Sequence, residues 1–74
     1  MRSYTIVVEP DETGELVVSV PALPGCFTQG RTIEECKERA AEAIEAHIAG
    51  LLADGEPIPE EISKPQLLTV TVAA

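Results

Sequence analysis

Carboxylates are the side chains of this chain that could converge on a metal ion and support hydrolysis. Glu9, Asp11, Glu12 and Glu15 lie close together in the sequence. Metal-dependent hydrolysis of a phosphodiester needs several carboxylates arranged around divalent ions. The segment between Glu9 and Glu15, Pro10-Asp11-Glu12-Thr13-Gly14, consists of residues typical of turns, which favours a solvated loop instead of a metal site. We therefore predict no catalytic residue, no metal site and no cofactor.

The single histidine and the two cysteines also have structural explanations. His47 lies beside the apolar stripe of a predicted helix without a second ligand at helical spacing, so we interpret it as a packing residue. Cys26 and Cys36 are too few for a disulfide framework and lack the paired spacing of a metal site. Arg31 is the only nearby cation that could activate Cys26, and cysteine is commonly buried. Both thiols are predicted to be reduced core residues.

The segment 21–35, PALPGCFTQGRTIEE, determines much of the predicted architecture. Pro24 and Gly25 predict a type II turn, because proline presets φ at the first central position and glycine accepts a positive φ at the second. Thr32 and Glu35 match a capping box, in which the threonine hydroxyl accepts from the amide of Glu35 and the glutamate accepts from the amide of Thr32. A helix is predicted to begin directly after Thr32.

The same segment resembles a known family. PALPGCFTQG followed by TIEECKERAAEAIEAHIAGLLADGEPIPE closely resembles the HicB-like antitoxins of bacterial toxin–antitoxin pairs, with similarity over residues 4–60. The resemblance implies a small, partly RNase H-like βββαβ domain that binds and silences a basic, mRNA-cleaving toxin of the HicA type. Most full-length members add a C-terminal DNA-binding segment. Nothing after Glu61 resembles a helix-turn-helix, so we do not expect this chain to bind nucleic acid directly.

Alternation of apolar and polar residues predicts the strands. Residues 4–9 and 16–20 read as two strands joined by a short loop, which predicts an antiparallel hairpin. Residues 26–29 can form a third strand. Residues 67–72 alternate in the same way and are predicted to form a fourth, placed beside the first by a right-handed crossover. The predicted fold is a single α+β domain over residues 1–74, with one helix on a four-stranded sheet of order 3-2-1-4.

Apolar residues at three- and four-residue steps predict one amphipathic helix over residues 33–53. One helix covers only one face of a sheet. Val7, Val17 and either Leu67 or Leu68 are therefore predicted to lie on the other face, where they are candidates for an interface between copies of the chain.

Composition favours a protein partner over a nucleic acid. The chain of 74 residues has thirteen acidic and five basic residues and a net charge of -8. Such a surface repels phosphate backbones and attracts basic proteins, although acidic residues also simply maintain solubility.

A chain this short has a marginal core, so we predict a homodimer or larger homo-oligomer. It contains no apolar run of membrane-spanning length and no signal-peptide core, which predicts a cytoplasmic protein without membrane contact.

Two surfaces are predicted to bind the toxin. The acids of the first hairpin, Asp11, Glu12 and Glu15, would steer the encounter electrostatically. An exposed strand edge would offer backbone groups to a partner. The residues of this edge are Pro24, Gly25, Phe27 and Gln29. Two competing hypotheses are a solitary oligomeric module that is structural or binds a small molecule, and a weak nuclease.

Overall fold

A computed structural model describes residues 2–61 and 64–73, and in it a three-stranded antiparallel sheet is covered on one face by a helix. The elements are β1 (Val7–Pro10), β2 (Leu16–Ser19), β3 (Phe27–Gly30) and α1 (Ile33–Ala53), and the strand order is β1-β2-β3. The predicted α+β class agrees with this arrangement. Within the described residues no helix combines the length and the apolarity of a membrane span.

A tight loop joins β1 to β2. The amide of Asp11 donates to the carbonyl of Glu15 at 2.8 Å, and the same register places Glu9 opposite Val17. Only every second pair of opposite residues exchanges backbone hydrogen bonds in an antiparallel ladder. Since Asp11 and Glu15 form such a pair, the odd-numbered residues of β1 bond to β2. The backbone groups of Val8 therefore point to the outer edge of the sheet.

The predicted type II turn between β2 and β3 is confirmed. The amide of Cys26 donates to the carbonyl of Leu23 at 3.0 Å, and Gly25 has a φ of 85°. That positive φ is the conformation which this turn requires at its second central position. The amide of Val20 donates to the carbonyl of Cys26 at 3.2 Å, so the ladder between β2 and β3 begins directly after the turn.

The capping box at the start of α1 is half confirmed. The hydroxyl of Thr32 accepts from the amide of Glu35 at 3.0 Å, as predicted. The carboxylate of Glu35 accepts from the amide of Arg31 at 2.9 Å, whereas the prediction placed it on the amide of Thr32. At the other end, the amide of Gly55 donates to the carbonyl of Leu52 and its φ of 68° ends the helix.

Two apolar clusters join the sheet to the helix. The first consists of Val18, Cys36 and Ala40, and the second of Val20, Leu23 and Cys26. The even-numbered residues of β2 thus face α1. Both cysteines are buried free thiols, which confirms their prediction as core residues. Burial raises the pKa of the Cys26 thiol and so disfavours the reactive thiolate.

After the helix the chain returns to the start of β1. The hydroxyl of Tyr4 donates to the carbonyl of Pro59. The amide of Thr5 donates to a carboxylate oxygen of Glu61 at 2.5 Å. These two contacts hold residues 59–61 beside the residues that precede β1.

The predicted fourth strand, and with it the four-stranded sheet of order 3-2-1-4, is wrong. Residues 64–73 form no strand, and Leu67 is 96% exposed. Pro65 and Leu67 do approach residues 5–8 at the outer side of β1, but no ladder forms. Pro10 has no N–H to donate, and β1 is only four residues long, so this edge offers few ladder bonds.

Gly30 provides a test of the packing between β3 and α1. A Cβ atom there would lie 3.0 Å from the Cys36 sulfur and 3.1 Å from its backbone nitrogen, whereas a Cβ at Gly50 would meet nothing within 4 Å. We expect Gly30→Ala to lower the free energy of unfolding by about 1–3 kcal/mol. Gly50→Ala, the matched control, should raise it by about 0.5–1 kcal/mol, because alanine favours the helix. Urea unfolding measures both, and equal changes would contradict this packing.

Candidate partner-binding surface

The sheet face opposite α1 is uncovered in the described structure, and we call it the open face. Residues directly opposite one another in an antiparallel ladder point to the same side. The register therefore places six side chains there in two rows: Val7, Ser19 and Phe27 in one, and Glu9, Val17 and Gln29 in the other. Phe27 is 66% and Val17 37% exposed. Val7 and Val17 lie on the face predicted for them, and their role in an interface stays a prediction.

The outer edge of β3 is unpaired within the described residues. Val20 exchanges a backbone hydrogen bond with Cys26, so by alternation Thr28 also bonds to β2. The N–H and C=O groups of Phe27 and Gln29 consequently point outward. The exposed Pro24-Gly25 turn leads into this edge. A partner strand could add here through main-chain hydrogen bonds.

Asp11 organises the hairpin loop. Its Oδ1 atom accepts from the amide of Thr13 at 2.8 Å, from the hydroxyl of Thr13 at 2.7 Å and from the amide of Glu15 at 3.0 Å. These bonds form an Asx turn, a role that the sequence interpretation missed when it assigned Asp11 only to partner binding. The signal was present, because aspartate in a turn commonly bonds to the backbone two residues on.

The hydrogen bonds of Asp11 predict a pH-dependent stability. The bond from the Thr13 hydroxyl, helped by backbone amides, lowers the pKa of Asp11 below its usual 3.8. A carboxylate with a lowered folded-state pKa stabilises the fold above the unfolded-state pKa and loses this effect as the pH falls through the folded-state value. Asp11→Asn keeps an acceptor oxygen but removes the charge. Its melting temperature should lie below that of the wild type at neutral pH, and the gap should close in acid. A gap independent of pH would contradict the ionic contribution.

Glu15 and Glu35 stand next to arginines. The carboxylate of Glu15 lies 3.8 Å from Nε of Arg31, and that of Glu35 lies 3.6 Å from Nε of Arg39. Together with Gln29 these side chains border a polar cleft. The side chains of both pairs are exposed, so each pair contributes little to stability. Glu12 lies exposed at the tip of the same loop.

A second acidic surface was missed as a candidate site. Four exposed glutamates lie along the outer side of α1: Glu34, Glu38, Glu42 and Glu45. Steps of three and four residues bring side chains onto one side of a helix, so these form a single row. The sequence analysis named only the hairpin acids as a candidate acidic surface. Their spacing was the available signal.

Potential metal ligands do not cluster in residues 2–61 and 64–73. No group of three or more His, Cys, Asp or Glu side chains there is placed to hold a metal ion. His47 is half-buried on α1. The structure presents instead a set of exposed acids, an unpaired strand edge and an open sheet face.

The chain is similar to one family of known proteins. Residues 4–70 match the model of the HicB-like antitoxin of bacterial toxin–antitoxin systems. A UPF0150 protein of Thermoplasma acidophilum is 50% identical over 58 residues, covering 78% of this chain and 84% of that protein. A UPF0150 protein of Synechocystis is 39% identical over 70 residues, covering 92% and 89%.

A relative named as an antitoxin is also similar. Antitoxin HicB 1 of Photorhabdus laumondii is 39% identical over 56 residues, which are 76% of this chain and 36% of that antitoxin. The family match extends over most of the chain, from the start of the first hairpin past the helix. The chain belongs to the HicB-like antitoxin family of bacterial toxin–antitoxin systems.

Proposed function

We propose that this protein binds a small basic ribonuclease toxin of the HicA type and blocks its access to mRNA by protein–protein contact. Membership of the HicB-like antitoxin family is the observation that carries this proposal. The net charge of -8 supports it, because a protein that binds RNA presents cations to phosphate groups. Carboxylates of the antitoxin would compete for those cations. The protein would act in the cytoplasm and perform no chemistry of its own.

The hairpin acids are the better supported toxin-binding surface. Glu12 and Glu15 lie on a loop whose backbone is held by hydrogen bonds to Asp11, so the loop presents both residues from a defined backbone position. A preformed loop loses little conformational freedom on binding. The exposed edge of β3 is uncharged at Phe27 and Gln29 and offers no electrostatic attraction to a basic protein. We therefore assign the steering of the toxin to the hairpin.

Affinity capture from the native host, followed by native mass spectrometry of the intact complex, tests this function. We expect a small basic protein to be recovered in a defined ratio with this chain. A variant with lysine at both Glu12 and Glu15 is the control, since it should recover less of that protein while folding normally. Recovery of self-associated chains alone, from cells that express the neighbouring genes, would contradict the proposal.

A further inference from the structure

The open face of one copy is complementary to the open face of another. We propose that two copies of the chain pack their open faces together as a two-fold dimer. The axis would run parallel to β2 and pass over that strand. Stacked sheets of this kind lie about 10 Å apart and interdigitate their facing side chains. The occupant of the open face is thus a second copy of the chain, and this inference is independent of the toxin.

The register determines which residues meet. Rotation about an axis over the central strand leaves β2 facing β2 and places β1 of one copy over β3 of the other. Val17 then faces Val17 of the second copy, and Val7 faces Phe27. These are apolar contacts between side chains that one copy alone leaves accessible: Phe27 is 66% exposed, and Val7 is only partly buried. In this isologous interface the Val7–Phe27 contact occurs twice, and the Val17–Val17 contact occurs once, on the axis.

The charges on the open face also agree with this symmetry. Glu9 is its one charged residue, and the rotation places it over Gln29 of the second copy, whose amide can donate to the carboxylate. Within the strands no acid meets an acid. At the hairpin end, Glu15 does face its own symmetry mate, but Arg31 lies 3.8 Å away as its counterion. The chain has a net charge of -8, so most of its surface would repel a second copy. The open faces of two copies can approach each other without such repulsion within the strands.

The tail, residues 64–73, provides additional area. Three strands at a spacing of 4.8 Å and four residues at 3.4 Å give the open face a footprint of roughly 14 by 14 Å. A stable interface buries about 800 Å² per partner, so the face alone is small. The tail starts beside β1 at the rim of this face and has no acidic residue. Its large apolar side chains are exposed by 74–96%: Leu67, Leu68, Val70 and Val72.

Sedimentation equilibrium over a concentration series tests the dimer. The wild-type chain should be dimeric. Val17→Lys places two ammonium groups at the axis and should weaken dimerisation by at least about a hundredfold, because an unpaired buried charge is costly. Leu52→Lys is the matched control, since Leu52 is 63% exposed at the end of α1, on the covered side of the sheet. It should leave the dimer unchanged. A wild-type monomer at every concentration would overturn the proposal.

Substitutions of Gln29 test the orientation of the two copies and do not depend on the folding of Val17→Lys. In the proposed dimer Gln29→Lys faces Glu9 of the second copy and should tighten dimerisation at low salt, whereas Gln29→Glu should weaken it. Each change should amount to up to about fivefold per contact, as for exposed ion pairs. Equal effects of the two substitutions, or effects of the opposite sign, would overturn this packing.

Discussion

Replacement of Leu23 by alanine is expected to lower the free energy of unfolding by about 2–5 kcal/mol. Leu23 is fully buried with Val20 and Cys26 in the cluster that holds the Pro24-Gly25 turn against the helix. Its truncation removes apolar contacts and leaves a cavity in a small core. Domains of this size have little stability to spare, so the variant should be close to unfolding at room temperature. Urea unfolding followed by circular dichroism measures the change.

Leu52→Ala is the matched control for this prediction. Both substitutions remove the same atoms, but Leu52 is 63% exposed near the end of α1. It should change the free energy of unfolding by less than about 0.5 kcal/mol, as surface substitutions usually do. If Leu23→Ala were no more destabilising than Leu52→Ala, the turn cluster would not be part of the stabilising core. Measurements above the dimer dissociation constant and below it would separate the core effect from any effect of association.

Charge reversal at the hairpin is expected to slow association with a basic toxin by about tenfold or more at low salt. The variant carries lysine at both Glu12 and Glu15, which changes the net charge from -8 to -4, because each exchange of glutamate for lysine raises the net charge by two. Stopped-flow measurement of the association rate over a range of ionic strengths gives the effect. Salt should reduce the difference, since exposed charges are screened over about 10 Å at 0.1 M.

A variant with lysine at both Glu42 and Glu45 is the control for location. It carries the same net charge of -4, but its substitutions lie on the outer side of α1. If the hairpin steers the toxin, this control should slow association less than the hairpin variant does. Equal slowing would show that only the net charge matters. Stronger slowing by the helix substitutions would move the toxin-binding surface to the row of glutamates on α1.

The local elements of the fold were predictable from the sequence because short-range chemistry determines them. Pro24 and Gly25 require a particular turn, and Thr32 caps a helix wherever the amide of Glu35 comes within reach. The alternation in β1 and β2 likewise placed Val7 and Val17 on one face. The glutamate of the capping box was harder to predict, because its long side chain reaches the amide of Arg31 as easily as that of Thr32.

The fourth strand was not predictable from its own residues. Alternation in residues 67–72 indicates that the segment can be a strand, but pairing also requires an edge that can receive it. The edge of β1 is short, and Pro10 removes one of its donors. The sequence also could not show which backbone groups of β3 point outward, because this depends on a register that one hydrogen bond between Val20 and Cys26 establishes.

The candidate site was predicted in part. The hairpin acids were identified from their position in a turn, but the distinct role of Asp11 depends on hydrogen bonds within that loop. The row of glutamates on α1 was visible in the spacing of the sequence but was not identified as a candidate surface. Such a row has the same pattern whether it binds a protein or only water, so the sequence cannot separate these roles.

An RNA-cleavage titration would decide whether the protein silences a ribonuclease. The basic protein recovered by affinity capture is mixed with a labelled mRNA and increasing amounts of this chain, and cleavage is followed over time. We expect cleavage to stop at a fixed molar ratio, and the chain alone to leave the RNA intact. Undiminished cleavage at a large excess of folded chain, or metal-dependent cleavage by the chain itself, would contradict an antitoxin that acts by occupying its target.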